Sequence, residues 1–62
     1  MITIKSTFGS YFVAYNEKKY LLDTTKKVQD AAKFASTSEA EEQIKKLNTA
    51  LPQYGWSVAI ID

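Results

Sequence analysis

Glu39 and Glu42, three residues apart in a stretch of helical periodicity, are the nearest this chain comes to a pair of groups that could do chemistry. At that spacing two carboxylates lie on one helix face and could share a weakly bound cation. The surrounding pattern gives them a plainer role. Glu39, Glu41 and Glu42 fall in the first turns of the predicted helix, where negative charge is favoured beside unpaired N–H groups. The chain has no histidine and no cysteine, and its serines fall in turns or at the helix start. That leaves no nucleophile–base couple and no ligand cluster for a metal. A chain of 62 residues also has little room for a ligand cleft of roughly 300 Å³ or more. The expectation is therefore no catalysis, no metal, no cofactor and no small-molecule substrate.

Tyrosines and lysines form the second candidate set. Stacked rings beside a row of cations can hold a single-stranded nucleic acid, and Tyr11, Tyr15, Lys5, Lys18, Lys19, Lys26 and Lys27 would be the residues to do it. Charge weighs against this reading. All eight basic residues are lysines, seven acids oppose them, and the net charge is +1. Affinity for nucleic acid comes chiefly from neutralising phosphates, which so even a balance supplies poorly. Recognition motifs of the common nucleic-acid-binding folds are absent as well. A single-stranded nucleic-acid binder is the alternative reading, and a protein-binding module the main one.

The elements that must position these residues read as β-β-β-α-β. Ile2–Lys5 alternates apolar with polar and is rich in β-branched residues, the pattern of a half-buried strand. Gly9, able to take positive φ, marks a turn before a second strand at 11–15, which has no polar residue. Asn16-Glu17-Lys18 supplies turn chemistry, and residues 19–23 read as a short third strand. Residues 24–30 form a polar loop, with a helical turn near Asp30, and Phe34 anchors the loop to the core. Ser36-Thr37-Ser38-Glu39 then fits a capping box, with Ser36 as N-cap. Ala40, Ile44, Leu47 and Leu51 follow on one stripe, and Glu41–Lys45 and Glu42–Lys46 are favourable i,i+4 pairs. Proline at 52 ends the helix, which spans about 37–50, and 56–61 makes the last strand.

The predicted fold is α+β: one four-stranded mixed sheet in the order 3-2-1-4, with a single helix packed on one face. A right-handed crossover would lay the last strand parallel to the first. Residues 1–62 make one domain, small enough to bury only about 60% of its unfolded surface. With no disulfide or metal to staple it, oligomerisation would supply the missing burial. Apolar runs are too short to span a bilayer, and residues 1–15 lack the apolar segment of a signal peptide, so no membrane association and a cytoplasmic location are expected.

One helix can cover only one face of the sheet. Alternation places Phe12, Ala14, Val58, Ile60, Ile2 and Ile4 under the helix, and Tyr11, Val13, Tyr15, Leu21 and Ile61 on the far side. The expected far face is a tyrosine-rich apolar patch of the kind that marks an interface. The plainer reading folds those tyrosines against lysine stems. We take the far face, or an edge strand, as the surface for self-association into a homodimer and for binding a partner protein.

The run Ala31 to Ala40 has the form A-x-x-F-x-S-x-x-E-A and follows a Lys19-Tyr20-Leu21-Leu22 strand. In this motif and in its order of elements the chain resembles small accessory proteins of bacteriophages and prophages of Gram-positive bacteria. The resemblance implies a phage-encoded protein that binds and inhibits a host protein, including components of antiviral defence, in the host cytoplasm. It assigns no functional residues, because the matching positions build the fold.

Overall fold

A computed structural model, describing residues 1–61, shows one sheet and one long helix. Strands β1 (Ile2–Lys5), β2 (Tyr11–Asn16), β3 (Leu21–Thr25) and β4 (Ser57–Ile60) lie in the order β3-β2-β1-β4, and helix α1 spans Thr37–Ala50. Strand order, helix limits and the α+β class agree with the sequence reading. Two short 3-10 turns flank the helix, Val28–Asp30 well before it and Pro52–Tyr54 directly after its C-cap Leu51.

The direction of β4 corrects that reading. The sheet is antiparallel throughout, not mixed: Ile2 pairs with Ile60 and Lys5 with Ser57. The reason lies in Ala31–Ala35. β3 ends at Thr25 opposite Tyr11, which pairs with Lys5, so the chain leaves β3 at the C-terminal end of β1. It then runs back extended. Ala32 N–H donates to Phe12 C=O, Phe34 N–H donates to Ile2 C=O, and Phe34 forms an antiparallel bridge with Ile2. The helix therefore starts at the opposite end of β1 from the one expected. It finishes near Thr7, whose N–H donates to Tyr54 C=O, and β4 comes back down. One unrecognised extended segment reverses the last strand.

That segment is a wedge between β1 and β2. The two strands pair only at Lys5 and Tyr11, and the wedge fills the gap where they part. Thr3, fully buried, donates its hydroxyl hydrogen bond to Ala32 C=O and so fastens the wedge to β1. By alternation Thr3 points away from Ile4, so the connection into α1 also covers part of the far face.

The core joins Ile4, Phe12 and Trp56 to Ala40 and Leu47 of the helix, with Phe34, Ile44, Leu51 and Val58 around them. The predicted stripe is the one that packs. Phe12 meets Trp56 edge-on at 6.1 Å, Trp56 stacks on Tyr54 at 5.3 Å, and exposed Phe8 meets Tyr54 edge-on at 5.9 Å. Such contacts add to what area burial alone contributes. Ser36 caps the helix by accepting from Glu39 N–H at 3.3 Å. The Glu39 carboxylate reaches back one residue further than a capping box requires, to Ala35 N–H at 3.2 Å.

Two turns depend on local polar groups. Buried Ser6 accepts from both Phe8 N–H and Ser10 N–H, which closes the β1–β2 connection. At the same end of β1, Gly55 adopts φ 60°, and a Cβ built there would stand 2.7 Å from Thr7 Cγ2. Both the left-handed backbone and the close approach call for glycine.

Candidate interaction surfaces

Of the five residues expected to share the far face, Tyr15 does not lie there. β2 carries a bulge between Phe12 and Ala14: Phe12 pairs with Thr24, but Ala14 pairs with Asp23, and Val13 is left over. An extra residue shifts the alternation by one. Tyr15 consequently turns to the helix side and packs against the core beside Leu22, its cross-strand partner. Ala14, expected beneath the helix, is exposed instead. Leu21 sits at the hairpin end opposite Asn16 and is 60% exposed. Ile61 is half-buried, and by alternation it does lie on the far side.

What remains of the far face is polar. Ser57, Lys5, Tyr11 and Thr25 follow one another in register across the four strands. Lys5 Nζ lies 5.6 Å from the centre of the Tyr11 ring, within the reach of a cation–π contact. The ring is thus partly covered by a lysine of its own sheet. Tyr11 and Tyr15, on opposite sides, cannot form one stacking platform for bases.

The two most exposed large apolar side chains lie elsewhere, at places the sequence pattern did not single out. The first is the β2–β3 turn. Asn16 Oδ1 accepts from Lys18 N–H and Lys19 N–H, which winds the chain tightly from Glu17 onward. Winding ends in Tyr20, at φ 55° the one described non-glycine residue with positive φ. A left-handed residue other than glycine costs about 1–2 kcal/mol. Tyr20 is also 82% exposed, so packing does not recover that cost.

Tyr20 stands at the rim of a groove between the hairpin tip and the C-terminal half of α1. This side of the groove encloses ≈ 460 Å³ between Tyr15, Glu17 and Tyr20 on the hairpin and Lys45, Lys46, Thr49 and Ala50 on the helix. A second hollow adjoins it at Tyr15, Glu17 and Lys46 and is lined besides by Ala14, Lys18, Leu21, Asp23 and Gln43. Tyr15 forms the floor, and lysine side chains stand along the helical wall. Among the described residues, no three acidic groups converge as a metal site would need, and no helix is long and apolar enough to cross a membrane.

The second place is the outer edge of β4. Ile60, expected beneath the helix, is 75% exposed, at the end of the outermost strand. A strand placed two residues too early hid Tyr20, and an assumed parallel β4 hid the Ile60 edge. Each follows from a local error of alternation or direction. Comparison with family models, curated proteins and solved structures finds no match to this chain.

Proposed function

We propose that the chain is a non-catalytic protein-binding module, and that the groove between the β2–β3 turn and α1 receives its partner. Tyr20 carries the reading: an aromatic ring held outside the fold, on a backbone that would be more comfortable with glycine. Strain of this kind persists where the side chain serves something other than stability. Tyrosine is also among the residues that dominate binding energy at interfaces. Lys18, Lys45 and Lys46 line the groove against Glu17 and Asp23, a small excess of positive charge, so the partner that fits is a segment with an apolar or aromatic anchor and a carboxylate beside it.

The narrower form of the proposal is a phage-encoded protein that inhibits a bacterial host protein by direct binding in the host cytoplasm. The resemblance of residues 31–40 supports it. Its test is affinity capture from a Gram-positive lysate with the wild type and Tyr20→Gly side by side. A partner retained by the wild type and lost by the variant supports the groove. A partner held equally by both places binding elsewhere, and repeated recovery of none counts against a host target. Binding of labelled single strands at low salt, weakening as salt rises, would overturn the protein-binding reading in favour of nucleic acid.

A further inference from the structure

The β1–β4 ladder defines which backbone groups of β4 are left free. Met1 and Ile61 exchange both hydrogen bonds: Ile61 N–H donates to Met1 C=O, and the Met1 nitrogen donates to Ile61 C=O, each at 2.8 Å. In an antiparallel pair such exchanging positions alternate with positions whose groups point the other way. Thr3–Ala59 and Lys5–Ser57 are therefore the next exchanging pairs along the register. Ile2, between them, points its carbonyl to the far side of β1, where Phe34 N–H takes it, as the alternation requires. Val58 and Ile60 must then direct their N–H and C=O groups outward, away from β1. β4 ends the strand order, so those groups face an open edge.

The two edges of the sheet differ in kind. β3 carries Asp23 and is flanked by Lys19, Lys26 and Lys27, charges that discourage pairing with another chain. From Gly55 to Ile61 there is no charged residue and no proline. Of the usual protections of an edge strand, β4 has only its shortness, four residues.

We infer that β4 pairs with β4 of a second copy, antiparallel about a two-fold axis at Ala59, to join the two sheets. In this register Val58 N–H meets the C=O of the second copy's Ile60, and Ile60 N–H meets the C=O of its Val58. The symmetry repeats both bonds. Every outward group of Val58 and Ile60 is satisfied, and Ala59 faces its own copy across the axis, where a small side chain lets the strands close. Ile60, on the helix side, gains a β-branched neighbour in Val58 across the new pair, which covers the side chain the monomer leaves 75% exposed. A second copy fits better than an unrelated peptide because the edge is complementary to itself in hydrogen bonding, side-chain size and lack of charge. Contact through one four-residue strand falls at or below the small end of specific interfaces, about 1,200 Å² in total. The dimer is therefore concentration-dependent, dissociating in the micromolar range or above. This inference deepens the protein-binding reading by naming one partner, and it uses a surface apart from the groove, so either can fail alone.

Sedimentation equilibrium and amide hydrogen exchange of the whole chain, from about 10 µM to about 1 mM, test it. The apparent mass should rise from 7.0 kDa towards twice that value. The amides of Val58 and Ile60 should gain protection at least several-fold with concentration, while those of Ser57 and Ala59, already bonded to β1, change little. Ile60→Pro removes an outward N–H that β1 does not use and should leave the chain monomeric throughout the range, with its circular dichroism retained. Ile60→Lys, which keeps the N–H and adds charge at the edge, should weaken association at least tenfold if proline disturbs the fold. Thr24→Lys, at the other edge, should associate as the wild type does. A wild type that stays monomeric at 1 mM (an assay ceiling of about that size), protection at Val58 and Ile60 that ignores concentration, or undiminished association of Ile60→Lys would overturn the inference. Binding of a partner at the groove is unaffected by any of these results.

Discussion

Replacing Tyr20 with glycine should make the protein more stable and a poorer binder. The left-handed backbone at φ 55° costs tyrosine about 1–2 kcal/mol, which glycine escapes. Glycine gives back about 0.5–1 kcal/mol through the added freedom of the unfolded chain. The ring is 82% exposed, so little burial is lost. The net gain is about 0.75 kcal/mol at the middle of these ranges, which in a domain this small raises Tm by about 3–6 °C. Urea denaturation followed by the fluorescence of Trp56, the single tryptophan and a core residue, measures it directly. The midpoint should rise with the slope unchanged. Two companions separate backbone from ring. Tyr20→Asn tolerates the left-handed region without glycine's flexibility and should stabilise at least as much. Tyr20→Ala keeps the strain and removes the ring, and should fall within about 0.5 kcal/mol of the wild type. All three should lose partner affinity, by about 2 kcal/mol if the ring is an anchor at the centre of the interface. A loss of 1 kcal/mol or more (the size of a typical destabilising substitution, about 1 kcal/mol) in Tyr20→Gly would refute the reasoning, because it would mean the ring holds the fold.

Other substitutions probe the features that place the elements. Thr3→Val keeps the shape of a buried side chain but leaves Ala32 C=O without its hydroxyl donor, and should cost about 1–3 kcal/mol in the same urea assay. Gly55→Ala forces a Cβ against Thr7 on a left-handed backbone and should cost about 2 kcal/mol or more; Thr7→Ser in the same chain, by removing Cγ2, should restore part of that loss. Ser36→Ala removes the N-cap acceptor of Glu39 N–H and should cost about 1 kcal/mol, seen as lower thermal stability by far-ultraviolet circular dichroism.

The features read correctly from sequence are those governed by neighbours in the chain. A cap residue, a stripe at helical spacing and a proline stop define α1 because each acts within a turn or two of itself. Phe34 likewise reads as an anchor because an aromatic residue beside a capping motif has few other places to go. The errors come from single-residue shifts. Val13 is an ordinary β-branched residue inside an apolar run, and nothing in its type announces a bulge. Yet that bulge turns Tyr15 to the core and takes it out of the aromatic patch expected on the far side. Tyr20 was hidden in the same way, since Lys-Tyr-Leu-Leu alternates no worse as a strand from 19 than from 21.

Taken alone, the sequence determined that the chain makes four strands and a capped helix in the order 3-2-1-4, because periodicity, turn chemistry and short connections leave few other arrangements. Chemistry-bearing residue types were also legible there, with no histidine or cysteine to build a reactive couple. Tertiary structure decided the direction of β4 and the location of exposed apolar surface. Both depend on Ala31–Ala35 inserting where β1 and β2 part, a long-range backbone pairing with no periodic signature of its own. Backbone hydrogen bonds between distant segments are nearly indifferent to side-chain type, so residue pattern cannot report them. They set which edge stays open at Val58 and Ile60, and which turn carries a strained tyrosine into solvent.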